Sequence, residues 1–279
     1  MDVSHPSVMS AADALALRYG IEAAPAHGPW NEHIALLLSH RSIRGYRTDA
    51  LPTGTLETLV AAAQSAATSS NLQTWSLIAV TDPDRKAALA KVASNQKHIE
   101  QCPLFLVWVA DLSRNQRLGG QEGVTLETLP YQETFLVAAI DAALAAQNAT
   151  VAAESLGLSC VYIGALRNNP QEVARIVGLP PGAFGVFGMC VGYASPTAAN
   201  EVKPRLPQAV VVHHDVYDSA EEGAHRAAYD HLMGAFSARN DMAADTWTKR
   251  VIGRMGKIGA MGGRDKMVAA LHAMGFPLK

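Results

Sequence analysis

The chain has 279 residues, 49% of them hydrophobic, with 23 Lys and Arg against 25 Asp and Glu and a formal net charge of −2 at pH 7. So apolar a composition supports a sizeable core and excludes wholesale disorder. The lack of a basic surplus excludes a partner gripped along a phosphate backbone, as nucleic acid is. Residues 1–10 contain no Lys or Arg and lead into no unbroken apolar run, so a soluble, cytoplasmic protein is the default expectation.

Residues 1–30, rich in Ala, His and Pro, show weak periodicity and read as an extension laid on the surface. Asn31 is an N-cap for a helix carrying Ile34, Leu37 and Leu38 on one face, which runs into the stretch His40-Arg41-Ser42-Ile43-Arg44-Gly45-Tyr46-Arg47. Leu56, Leu59, Val60, Ala63 and Ala67 recur at helical spacing until the polar run Thr68-Ser69-Ser70-Asn71. Trp75 to Thr81 is a strand closed by the turn signal Asp82-Pro83, residues 84–93 are a short helix, and Leu104 to Ala110 is a strand apolar on both faces. Residues 112–130, with Gly119-Gly120 and scattered charge, read as a loop or excursion.

Tyr131 to Leu156 is the longest helix, closed by Gly157; Asp141, Gln147, Asn148 and Glu154 mark it as a buried helix and not a membrane span. A strand from Cys160 to Ile163 then enters Gly164, a helix starts at Asn169-Pro170, and Phe184 to Tyr193 is a further strand. Beyond Ser195 the character changes. Residues 203–207 are held extended by two prolines, and residues 219–279 carry polar helices without a strong core pattern, so they are expected to pack on the main body or on another subunit. The order of elements indicates a layered α/β or α+β fold with few strands and thick helical cover. Its expected divisions are 1–30, 31–215 and 216–279.

Cys102, Cys160 and Cys190 form no CxxC and sit in apolar runs, which points to a reducing compartment and away from a structural metal. No GxGxxG, GxxxxGK[ST] or GxSxG occurs, which weighs against a dinucleotide-binding Rossmann unit, a P-loop and a serine hydrolase. The basic stretch at 40–47 has two readings. Cations at a helix C-terminus complement its dipole; alternatively Ser42 and the arginines form a phosphate cradle. A second basic cluster, Lys203-Pro204-Arg205, lies in a stiff Pro-bounded loop and favours the cradle. Residues 69–75 are either a polar loop or amides and hydroxyls at the rim of a flat heterocycle. Gly164 either frees backbone N–H groups for a ligand or makes an ordinary turn. Gln96 and His98 read as exposed polar residues.

Taken in order, HRSIRGY at 40, SSNLQ at 69, NQKHIEQCP at 95, AAQNATVAAESLGLSCVYIGALRNN at 145, FGMCVGY at 187 and KPRLP at 203 resemble the FMN-dependent nitroreductase superfamily, in its oxygen-insensitive NADPH nitroreductase and NADPH–flavin oxidoreductase branch. The resemblance covers roughly residues 31–250. It implies an α+β fold, a three-layer α/β/α sandwich around a mostly antiparallel sheet, and an intertwined homodimer with FMN at the subunit interface.

The resemblance places His40, Arg41, Ser42 and Arg44 at the FMN, with Arg41, Ser42, Lys203 and Arg205 on its phosphate. Thr68, Ser69 and Gln96 would bond the ring or ribityl chain, and Tyr162, Ile163, Gly164 and Ala165 would pass the ring. It implies ping-pong transfer of electron pairs from NADPH or NADH to a small-molecule acceptor such as a nitroaromatic, a quinone or a flavin. No side chain acts as nucleophile; Arg44 and Gly164 tune the flavin. Asn71 and Arg167 would face the substrate.

The chain departs from the pattern at Ala165, where many relatives have glycine, and at Asn71, where an aromatic residue is common. Of the arginines that hold the NADPH 2′-phosphate before residues 245–247, only Arg239 is kept, which implies weakened discrimination against NADH. Three alternatives stand beside this reading. They are a dedicated dehalogenase or enone reductase on the same fold, a non-catalytic FMN-binding protein, and an anion-binding regulatory domain without flavin.

Overall fold

The computed structural model describes residues 9–198, 200–242 and 246–279. Residues 1–8 of the expected extension and residues 243–245 of the loop before Trp247 lie outside them. In chain order the elements are α1 (Ala11–Tyr19), α2 (Glu32–Ser39), α3 (Thr55–Gln64), β1 (Trp75–Val80), α4 (Pro83–Val92), α5 (His98–Gln101), β2 (Leu104–Asp111), α6 (Ser113–Glu122), α7 (Gln132–Ser155), β3 (Ser159–Ile163), α8 (Pro170–Val177), β4 (Ala183–Gly192), α9 (Gln208–Val211), α10 (Glu222–Arg239), α11 (Trp247–Met255) and α12 (Met267–Ala273). They fall into two compact units, Met1–Arg41 with Asn200–Ala260, and Ser42–Ala199 with Met261–Lys279. This division differs from the one expected at residues 30 and 215.

The larger unit is built on a four-stranded sheet of order β1-β2-β4-β3, with every neighbouring pair antiparallel. All eight residues of β2 are buried, as its apolar run requires. Strand alternation sorts them: Phe105, Val107 and Val109 join Leu89 of α4 and Val173 and Val177 of α8 on one face. Leu104, Leu106 and Trp108 join Leu59 and Ala63 of α3 and Ala145, Ala146, Ala149 and Ala153 of α7 on the other. The result is the three-layer α+β sandwich that the resemblance implies. The alanine face lets α7 lie close to the sheet. Gly188 of β4 meets a tighter demand, since a Cβ there would sit 2.3 Å from Cζ of Phe105.

Residues 112–130 are not a loop throughout, because α6 occupies much of them. The Asp111 carboxylate accepts hydrogen bonds from the Ser113 amide (3.0 Å) and hydroxyl and so satisfies the first turn. Gly119 marks a close approach and not a breaker, since a Cβ there would lie 2.8 Å from the Val124 carbonyl oxygen. The chain's end also belongs to this unit. Leu271, Met274 and Phe276 pack with Ala110, Leu112, Ala138 and Phe184, and Phe135 meets Phe184 and Phe276 edge to face.

In the smaller unit α1 is a capped helix and not a loose extension. The Ser10 side chain accepts from Asp13 N, and Ala14, Leu15 and Arg18 are buried. The stretch expected to lack a core has a small one. Tyr229, Met233 and Phe236 of α10 recur at helical spacing and pack with Leu206, Leu232, Met242 and Trp247.

Candidate functional site

Residues 42–47 form an irregular strip fixed to the sheet by backbone bonds. Ile43 N donates to the Cys160 carbonyl (3.2 Å), Arg47 N to that of Tyr193 (3.0 Å), and Ser195 N to that of Gly45 (2.9 Å). Ile43 and Tyr46 point into the core, and Tyr46 donates its hydroxyl to the Ile43 carbonyl at 2.9 Å. With these two anchored inward, Arg44 and Arg47 are left exposed. The Arg47 guanidinium is taken by Asp49, so the two arginines part company: one neutralised, one facing a cavity.

That cavity, of ≈500 Å³, is lined by Arg44, Gln96, His98, Tyr162, Ile163, Gly164, Ala165 and Arg264. Six of these were singled out from sequence, from three distant stretches that the sheet brings together. The Ile163 side chain is buried in the core and the Tyr162 hydroxyl bonds Thr150 at 2.8 Å on the α7 side. The backbone turning through Gly164 therefore forms one wall. A Cβ at Gly164 would come within 3.2 Å of the Arg167 guanidinium, so glycine keeps this wall open. Arg167 is committed: it donates to the carbonyl of Val186, the extra residue where the β2–β4 register slips.

Two lining residues escaped the sequence reading. His98 is not exposed but 8% accessible, and its Nε2 is buried with no hydrogen-bond partner among the described residues. Arg264, half-buried, donates from Nε to Asn168 Oδ1 at 2.9 Å, which stands it over the cavity beside β3. It lies in the C-terminal segment, about which local pattern says nothing. An unpaired buried imidazole nitrogen, an amide, two guanidinium groups and an open backbone wall suit a flat, hydrogen-bonding heterocycle carrying negative charge.

The other expected residues are placed as follows. Thr68 does not line the cavity; its hydroxyl donates to Asp141 and accepts from Gln73 N at 3.1 Å. Ser69 and Asn71 are exposed on the same turn, and Asn71 Oδ1 accepts from the Gln73 side chain at 3.2 Å. In the smaller unit, Arg41 donates to the Asn200 carbonyl at 3.3 Å, Arg205 to the Lys203 carbonyl at 3.1 Å, and Arg239 pairs with Glu201 at 2.9 Å. His40 ends α2 there.

His98 gives the site a pH signature. Burial, with the Arg44 cation acting in the same direction, lowers the imidazole pKa from 6.5. The unfolded chain then takes up more protons on acidification than the folded one, so this contribution to stability is complete above the unfolded value and is lost as pH falls below it. The unfolding free energy is expected to drop between about pH 7.5 and 5.5, and to drop less in His98→Gln, which has no such group to titrate. Denaturant titrations of both proteins at the two pH values check this; equal drops count against His98.

Comparison with known proteins settles the family. The profile of the Nitroreductase family matches residues 37–193, over half of the chain. The chain belongs to the nitroreductase family. A second profile of this family, its C-terminal domain, matches residues 203–279. Among nitroreductase-family relatives, the chain is 37% identical over 230 residues to "FMN reductase (NADPH)" of Bacillus subtilis, covering 81% of this chain and 92% of that one. It is 36% identical to the oxygen-insensitive NADPH nitroreductase of Salmonella typhimurium over 220 residues, 78% of this chain and 88% of that one. The solved structure of B. megaterium NfrA2 superimposes with a TM-score of 0.83 at 37% identity, covering 90% of this chain and all of that one.

Proposed function

We propose that the protein is a cytoplasmic FMN-dependent NAD(P)H oxidoreductase that reduces nitroaromatics, quinones or flavins by two-electron transfer. The observation that carries this is the cavity at Gly164, where the buried His98 Nε2, the Gln96 amide and the Arg44 and Arg264 cations converge as a flavin ring requires. The relatives named as NADPH-dependent flavin and nitro reductases support the same reading. When bound, FMN supplies the hydride chemistry, and the residues of this chain bind, orient and charge its surroundings.

In this reading Arg44 would hold a positive charge beside the bound ring and so favour its reduced, anionic form. Gln96 and His98 supply hydrogen bonds to the ring, and the 162–165 backbone forms its floor. Arg41, Ser42, Lys203 and Arg205 hold the phosphate, with His40 beside them. Arg264 and Arg167 stand on the side where an acceptor stacks, and Arg239 remains the candidate for nicotinamide nucleotide phosphate. A homodimer completes the site. Leu136, Ile140 and Leu144 form an exposed apolar stripe along α7 at four-residue spacing, and a second copy covers it. The polar turn at Thr68, Ser69 and Asn71, which lies outside the cavity, serves the flavin from across that interface.

The purified protein is expected to show a flavin absorption spectrum after loading with FMN, and to bleach on anaerobic titration with NADPH and, with little loss of specificity, NADH. A colourless protein that takes up no FMN would sink the proposal. A strong NADPH preference would overturn only the relaxed nucleotide choice.

A further inference from the structure

Arg18 has no place in the reading above, yet it is the most deeply buried arginine among the described residues, 6% exposed. Its guanidinium donates to three main-chain carbonyls: Lys203 at 2.9 Å, His40 at 3.1 Å, and Leu38. Its own carbonyl accepts from Arg205 N at 2.8 Å. One residue of α1 therefore holds both the strip that enters Arg41 and the loop that presents Lys203 and Arg205. The planar fork of a guanidinium, with five fixed donors, can bond carbonyls of two separate loops at once, which an ammonium does less well. Neighbouring bonds stiffen the same parts: Tyr229 donates to the Pro204 carbonyl at 2.9 Å and Arg41 to that of Asn200 at 3.3 Å. The helix is set for this role by the Ser10 cap and the burial of Ala14 and Leu15.

We infer that Arg18 is a positioning residue for the phosphate of the cofactor: it touches no ligand but fixes the spacing of the main-chain segments that carry Arg41, Lys203 and Arg205. The inference rests on the flavin reading above. It specifies that the N-terminal helix is a working part of the anion site. Because Arg18 acts only on the phosphate-holding segments, its loss must weaken FMN and leave riboflavin, the same ring system without a phosphate, almost unchanged.

The test measures binding of FMN and of riboflavin to the full chain freed of flavin, by fluorescence titration, for the wild type, Arg18→Met and Arg18→Lys. Arg18→Met is expected to raise the Kd for FMN by about tenfold or more, the scale of one lost charge-assisted bond, and that for riboflavin by less than about twofold. Arg18→Lys, which keeps a buried cation should the methionine variant not fold, is expected to fall between wild type and Arg18→Met for FMN. Wild-type FMN affinity in either folded variant, or equal weakening of both flavins, would overturn the positioning role while leaving the flavin reading intact. A wild-type chain that binds neither flavin would overturn both.

Discussion

Asp141→Ala is expected to lower the unfolding free energy by about 3–5 kcal/mol, the cost of stripping a buried acceptor from several donors at once. Asp141 is 2% exposed near the middle of α7, on a helix whose other buried residues are alanines and Thr150. Its carboxylate accepts from Ser69 N at 3.1 Å, Thr74 N at 3.2 Å, the Thr74 hydroxyl at 3.0 Å and the Thr68 hydroxyl. Hydroxyls can turn toward other acceptors, but the two amides cannot. The same bonds hold a turn in which Ser70, Asn71 and Gln73 adopt left-handed backbone angles, φ 47, 56 and 50. Such angles cost non-glycine residues about 1 kcal/mol each and persist only where the surroundings enforce them. Asp141→Asn keeps one acceptor oxygen and is expected to recover part of the loss. Urea unfolding measures both; a loss below about 1 kcal/mol in Asp141→Ala would mean that the donors find other partners.

Arg41→Ala combined with Arg205→Ala is expected to cut FMN affinity by about 100-fold to 10,000-fold, two bonds from charged donors at roughly 1.5–3 kcal/mol each. Both side chains are exposed, and both donate to nearby backbone carbonyls at 3.3 Å and 3.1 Å, so little folding free energy rides on them. A loss of flavin without a matching loss of thermal stability is therefore the expected pattern. Equilibrium dialysis against FMN with parallel thermal melts reads both quantities. Undiminished loading in the double variant would place the anion elsewhere.

The layers of the fold were legible because the signals behind them are local. The apolar run of β2, the alanine face of α7 and the stop at Gly157, with φ +74, each declare themselves within a few residues. The cavity was legible in part, since Arg44, Gln96 and 162–165 lie in stretches that resemble a known family. His98 was misjudged because a lone histidine in a polar run carries no mark of burial; the side chains closing over it come from elsewhere in the chain. Arg264 was missed for the same reason at longer range, being fixed by Asn168, 96 positions earlier. Residues 11–19 read as a surface extension because their buried face includes Arg18, and an arginine interrupts the apolar periodicity that marks a helix. Gly119-Gly120 suggested a loop, whereas Gly119 answers a close approach to Val124 and Gly120 faces open space within a helix.

Cys102, Cys160 and Cys190 are unpaired and each has 0% of its surface exposed. Burial raises the pKa of Cys160 and Cys190, keeping both as thiols, whereas interaction with Cys190 lowers that of Cys102, so for Cys102 it is inaccessibility that shields the sulfur. Quinones and the partly reduced products of nitro compounds are soft electrophiles that alkylate accessible thiolates. Were such molecules acceptors or products of the reaction, they would meet no accessible sulfur on the folded chain, and alkylation would have to wait for unfolding.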